Sequence, residues 1–98
     1  MSVRIFIEYK VKSSHVHQYE QQMKNVLSFL PTFGADQINW FHEERDSKYI
    51  ESFLLPTISH YVALKKIRAK TCHTIFGILD QFIEGGIQNI QIHAVKVQ

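Results

Sequence analysis

The stretch Asp36-Gln37-Ile38-Asn39-Trp40-Phe41-His42-Glu43-Glu44, then Arg45-Asp46-Ser47-Lys48, then Tyr49-Ile50-Glu51-Ser52-Phe53-Leu54-Leu55-Pro56, reads as a β-hairpin. Both arms carry the aromatic and branched residues that favour strands, and the four polar residues between them supply a turn. On the first arm Ile38, Trp40 and His42 share a face, with Asn39, Phe41 and Glu43 on the other. On the second arm Tyr49, Glu51, Phe53 and Leu55 alternate with Ile50, Ser52 and Leu54. Neither arm has a purely polar face.

Upstream of the hairpin, Val3, Ile5, Ile7, Tyr9 and Val11 alternate with Arg4, Phe6, Glu8 and Lys10. Period-two patterning of this length predicts a strand with one buried face. Ser13-Ser14 offers an N-cap. Val16, Tyr19, Met23, Val26, Leu27 and Leu30 follow at helical spacing as one apolar stripe, and Pro31 with Gly34 closes that helix near Phe29. Downstream, Thr57 or Ser59 caps a helix through Tyr61, Val62, Leu64, Ile67 and Arg68, ending around Thr71. A second helical pattern runs from Cys72 to Ile83 through Ile75, Leu79 and Phe82, either after a bend at Lys70-Thr71 or as one long kinked helix. Gly85-Gly86 stops it, and Ile87 to Val97 alternates again as a last strand.

The order β-α-β-β-α-β, with an extra helical segment, predicts an α+β, ferredoxin-like fold over residues 1–98: an antiparallel four-stranded sheet with both helices on one face. The 98 residues suit one domain with a small core, and 45% hydrophobic with 20% charged residues is a globular, soluble composition. A net charge of +2 is too weak to argue for a nucleic-acid or membrane-surface partner. RNA-recognition domains share this strand order, but Lys48-Tyr49-Ile50-Glu51-Ser52-Phe53 lacks the small residues of their base-stacking strand and puts a carboxylate on it. No apolar run reaches the length of a signal peptide or membrane span, and the single Cys72 fits a reducing compartment, so the expected location is cytoplasmic. Cys72, among apolar neighbours in a helical pattern, is expected to be a packed thiol.

Helices on one side leave the other sheet face uncovered. In a monomer that face should be polar, since exposed apolar area costs about 25 cal/mol per Å². Here Phe6, Phe41, Ile50 or Leu54, and Val95 contribute to it among Arg4, Glu8, Asn39 and Ser52. Such a mixed surface suits a homodimer joined through the sheet face, two sheets enclosing a shared barrel.

The strand Tyr49-Ile50-Glu51-Ser52-Phe53-Leu54-Leu55, the following helix with Tyr61-Val62-Ala63-Leu64 and Arg68, and the opening Ile7-Glu8-Tyr9-Lys10-Val11 resemble the dimeric α+β barrel superfamily, and within it the antibiotic-biosynthesis-monooxygenase-like domains. The resemblance spans nearly the whole chain. It implies a homodimer with a pocket for a small apolar molecule between sheet and helices, and an activity that in some relatives is cofactor-independent monooxygenation, in others haem degradation, and in many not established. One departure counts against haem: the helical histidine several residues after the Glu-x-aromatic strand is not cleanly matched, with His60 at the helix start and His73 well beyond it.

Six histidines invite a metal reading, but His15 and His17 on a helix splay about 200° apart, and His42, His60, His73 and His93 sit on different elements. No spacing matches a metal signature, so neither metal nor cofactor is expected. Trp40 and His42, two apart on one strand face, lie across the hairpin from Glu51 and Phe53. An aromatic wall with one imidazole and one carboxylate suits proton abstraction from a planar apolar substrate, with His42 as base and Glu51 beside it. Tyr9, Trp40, Phe53, His60 and Tyr61 complete the candidate ligand-binding set. The bland account keeps Trp40 and Phe53 in the core, His42 near solvent, and Glu51 in an ion pair with Arg68 or a lysine of the run Lys65, Lys66, Lys70. A non-catalytic binding or regulatory module, its pocket filled by its own side chains, is the competing class.

Overall fold

The computed structural model describes residues 2–97. Strand β1 (Ser2–Lys10) leads through a short 3-10 turn into helix α1 (Val16–Phe29), and strands β2 (Asp36–Glu43) and β3 (Lys48–Leu55) form the hairpin. Helix α2 (Ile58–Arg68) follows, then a run of turns, then strand β4 (Gln91–Val97). The four strands order β2-β3-β1-β4, and every neighbouring pair is antiparallel. This is the ferredoxin-like arrangement, with β1 flanked by β3 and β4.

Register explains the core. Val3 pairs with Leu55, Ile5 with Phe53, Ile7 with Glu51 and Tyr9 with Tyr49, so period-two side chains of β1 and β3 stack on the helix-covered face. Tyr19, Met23 and Val26 of α1, and Leu64 and Arg68 of α2, come down on them. Fully burying a large apolar side chain such as Phe53 stabilises by about 1.5–3 kcal/mol. The hairpin closes over residues 44–47, where the Ser47 amide donates to the Glu44 carbonyl and Ser47 takes φ 54°. A second irregularity, a register shift between Asp36 and Asn39, coincides with Gln37 at φ 51°, whose side chain accepts from Arg4 at 3.0 Å.

Among the described residues no element covers the opposite face. Phe6, Phe41, Val95 and Val97 stand exposed on it, whereas Ser52, directly between Phe6 and Asn39 in the register, is buried.

Four local expectations are corrected. Ser13 and Ser14 form a 3-10 turn with His15 and do not cap α1; Ser14 Oγ instead meets His15 Nδ1 at 3.0 Å. Residues 72–83 are not a helix. Ile75, Phe76, Leu79, Phe82 and Ile83 do turn toward the core, but through successive turns and a short 3-10 segment, Gly77–Gln81. The helical ladder breaks where the His73 imidazole Nδ1 accepts from the amides of Ile75 and Phe76, and where Gly77 passes against the Thr71 carbonyl. Cys72 is exposed in that turn rather than packed. The last strand begins at Gln91, because Ile87–Asn89 winds as a 3-10 turn anchored by the Asp80 carboxylate accepting from the Ile87 amide. Thr57, by contrast, caps α2 as read, accepting from the His60 amide at 3.2 Å.

Candidate functional site

Glu51 sits at the centre of β3, opposite Ile7 on one side and Trp40 on the other. The hairpin register aims its carboxylate at the helices, where it has no exposed surface. A carboxylate there would be strongly destabilised alone. Arg68, on the last turn of α2, meets it end to end: Nη1 donates to Oε1 at 2.9 Å and Nη2 to Oε2 at 2.8 Å. The guanidinium lies 4.8 Å above the Phe76 ring. Burial alone would make Arg68 easier to deprotonate, but Glu51 outweighs this and holds the cation more firmly than usual.

The second partner of Glu51 is Tyr9, whose hydroxyl lies 2.7 Å from Oε2. Tyr9 in turn lies 2.6 Å from the Tyr19 hydroxyl, and the Trp40 indole Nε1–H donates to Tyr19 at 3.0 Å. An indole can only donate and a carboxylate can only accept, so the two hydroxyls between them are forced into one sense. Trp40 gives to Tyr19, Tyr19 to Tyr9, and Tyr9 to Glu51. Burial, then the nearby Glu51 charge, pushes both phenols well above the ordinary tyrosine range. Among the described residues every buried side-chain nitrogen and oxygen has a partner.

Above this interior lies an aromatic shelf at the edge of the sheet. Tyr49 is stacked between His42, with centroids 4.4 Å apart and planes 13° apart, and Trp40, at 5.8 Å and 20°. The Tyr49 hydroxyl donates to Glu20 of α1 at 2.8 Å, and burial followed by that carboxylate pushes its pKa up to about 12. Glu20, Trp40, Phe41, His42 and Tyr49 together line a shallow hollow of about 150 Å³.

The sequence-derived candidates therefore divide. Trp40 joins the buried chain to the shelf, and His42 is exposed on the shelf. Tyr9, Glu51 and Phe53 lie in the closed interior. His60 is bound to its own helix cap, with Nδ1 2.7 Å from Thr57 Oγ1, and Tyr61 is half-buried on α2 with the Lys65 ammonium 6.0 Å from its ring centre. His42 faces Tyr49, not Glu51, because the register sets Trp40 against Glu51 and His42 one pair further on. Tyr19 and Glu20 escaped sequence reading as polar participants. The available signal was chemical: a tyrosine within a buried stripe needs a partner for its hydroxyl.

No protein-family model matches the chain, and no curated protein matches it. Solved structures do. A conserved protein from Methanosarcina mazei Go1 superposes with a TM-score of 0.76 at 14% identity, over 100% of this chain and 94% of that one. An antibiotic biosynthesis monooxygenase gives 0.72 at 7% identity over 98% of both chains. A NIPSNAP family protein from Agrobacterium tumefaciens gives 0.72 at 10%, over 100% and 94%. The chain thus shares its fold with these proteins, an antibiotic biosynthesis monooxygenase among them, which is the fold that the strand and helix motifs led us to expect. At these identities the likeness concerns the fold alone.

Proposed function

We propose that this protein is a homodimer that binds a small planar aromatic molecule against Trp40 and His42, with the buried Tyr49 ring packed between them as support. The observation that carries the reading is the stack itself: three parallel rings bordering an open hollow, with Glu20 at its edge. A flat apolar guest gains area on such a surface, and the carboxylate and imidazole orient any hydroxyl it bears. The space beneath the helices, where the sequence suggested a guest, is taken by Tyr9, Tyr19, Glu51 and Arg68, which favours a binding module over an enzyme with an internal active site. If the guest is a quinol, monooxygenation on the shelf would call on His42 to accept its hydroxyl proton; Glu51, with both oxygens engaged and no surface, supports the fold instead.

The bare sheet face supports the dimer. Phe41 at 50% and Val95 at 53% exposure would be covered by a twin sheet, and since Phe41 also borders the hollow, pairing would narrow its mouth. Trp40 is the chain's only tryptophan and reports directly on the shelf. Titration with a naphthoquinol should quench its fluorescence saturably, and His42→Ala should weaken that binding. A flat titration would overturn the reading, and oxygen uptake with the same quinol distinguishes turnover from binding.

A further inference from the structure

The interior chain does more than satisfy polar atoms. Its members are redox-active side chains in series, beginning at half-buried Trp40 and ending on a carboxylate. Ring centroids step from Trp40 to Tyr19 at 6.0 Å and from Tyr19 to Tyr9 at 5.8 Å, with Tyr49 4.6 Å from Tyr19 as a side branch. Each step is also a hydrogen bond between the groups that lose protons on oxidation.

We propose that Trp40, Tyr19, Tyr9 and Glu51 form a one-electron relay that carries an oxidising equivalent from the surface into the core. The oxidant is an organic peroxyl radical meeting the exposed edge of Trp40. It takes one electron from the indole and leaves as the hydroperoxide anion, which gains a proton from water. The indole radical cation is refilled through Tyr19, and the electron comes finally from Tyr9. A phenol that has lost an electron is a strong acid, so its proton passes along the 2.7 Å bond to Glu51 Oε2. The sum is balanced: peroxyl radical, Tyr9 phenol and Glu51 carboxylate become hydroperoxide anion, Tyr9 phenoxyl radical and Glu51 carboxylic acid. A one-electron reductant of the ascorbate class acting through Trp40 returns the electron to Tyr9, and the proton goes back to it along the same 2.7 Å bond from Glu51, restoring phenol and carboxylate. The relay needs no occupant in the hollow and stands independently of the ligand reading.

Flash-quench oxidation with ruthenium tris-bipyridine, followed by transient absorption and by electron paramagnetic resonance on frozen samples, tests this on the intact chain without ligand. The expected product is a neutral tyrosyl radical that forms more slowly in heavy water. Trp40→Phe should slow its formation about tenfold or more, the equivalent of about 1.4 kcal/mol in barrier. Tyr61→Phe, which removes the tyrosine outside the network, should leave it unchanged. Both side chains are partly exposed but pack against the core, so the thermal midpoint of each variant is measured beside its radical kinetics, and rates are compared in the folded state. An unchanged rate in Trp40→Phe, or loss of the radical in Tyr61→Phe, would overturn the relay.

Discussion

Arg68 grips both carboxylate oxygens of Glu51 across the interface between α2 and the sheet, with neither side chain more than 1% exposed. A buried pair of this kind ties the helix to one position on β3. It is also unforgiving, since each ion is tolerable only because the other is there.

Removing one partner should therefore cost far more than removing both. Arg68→Met leaves Glu51 without its cation in the core and is expected to lose about 3–5 kcal/mol, whereas Glu51→Leu with Arg68→Met should recover that loss less about 1–3 kcal/mol for the Tyr9 hydroxyl, which then lacks its acceptor. Urea denaturation of the single and double variants measures it. Additive losses would show that the two side chains do not act as a pair.

Alkali should unfold the protein through its tyrosines. Tyr9 and Tyr19 are held neutral well above the ordinary range by burial and then by Glu51, and Tyr49 is pushed up to about 12 by burial and then by Glu20. A raised folded pKa adds stability that is fully present below the unfolded value of about 10 and is lost as pH climbs beyond it. Stability should thus be level up to about pH 10 and fall above it, with Tyr49's share spent near pH 12. Ultraviolet titration should show these three phenols ionising only as the chain unfolds; prompt ionisation of all the tyrosines at pH 11 would contradict the burial argument.

Gly77 has no room for a side chain. A Cβ there would stand 2.2 Å from the Thr71 carbonyl oxygen, a backbone atom that cannot swing aside. Gly77→Ala is expected to cost about 1–3 kcal/mol by overpacking, read as a lowered thermal midpoint. No shift would mean that the 71–77 turn repacks freely.

The sheet face offers a separate test. Val95→Glu places a charge on that bare face, at the exposed edge strand β4, away from both the core and the hollow. Sedimentation should show a dimer for the parent chain and a folded monomer for the variant. A parent chain that sediments as a monomer at micromolar concentration would remove the dimer from the proposal and leave the shelf untouched.

Much of this architecture was legible because alternation reports two things at once, strand and facing. Val3 to Val11 and Tyr49 to Leu55 announced both. The segment after α2 misled for a related reason. Ile75, Leu79, Phe82 and Ile83 recur at helical spacing because they face the core, yet turns can bring them there equally well. Apolar spacing does not report backbone hydrogen bonds, and the interruption by His73 and Gly77 lay in contacts between side chain and amide, and between backbone and backbone. The ion-pair partner of Glu51 was among those named in advance, since a buried carboxylate demands a cation and Arg68 lay one helix away. The tyrosine pair was not, because period and spacing treat Tyr19 as apolar bulk and are silent about its hydroxyl.

The one-way sense of the Trp40–Tyr19–Tyr9–Glu51 bonds has a consequence for how such a sequence can drift. Each of these letters is legible only to its neighbour: a donor lost at one place strands an acceptor at the next. Relatives should hold the four together or abandon them together, and a chain caught halfway would carry an orphaned polar atom at the heart of its sheet.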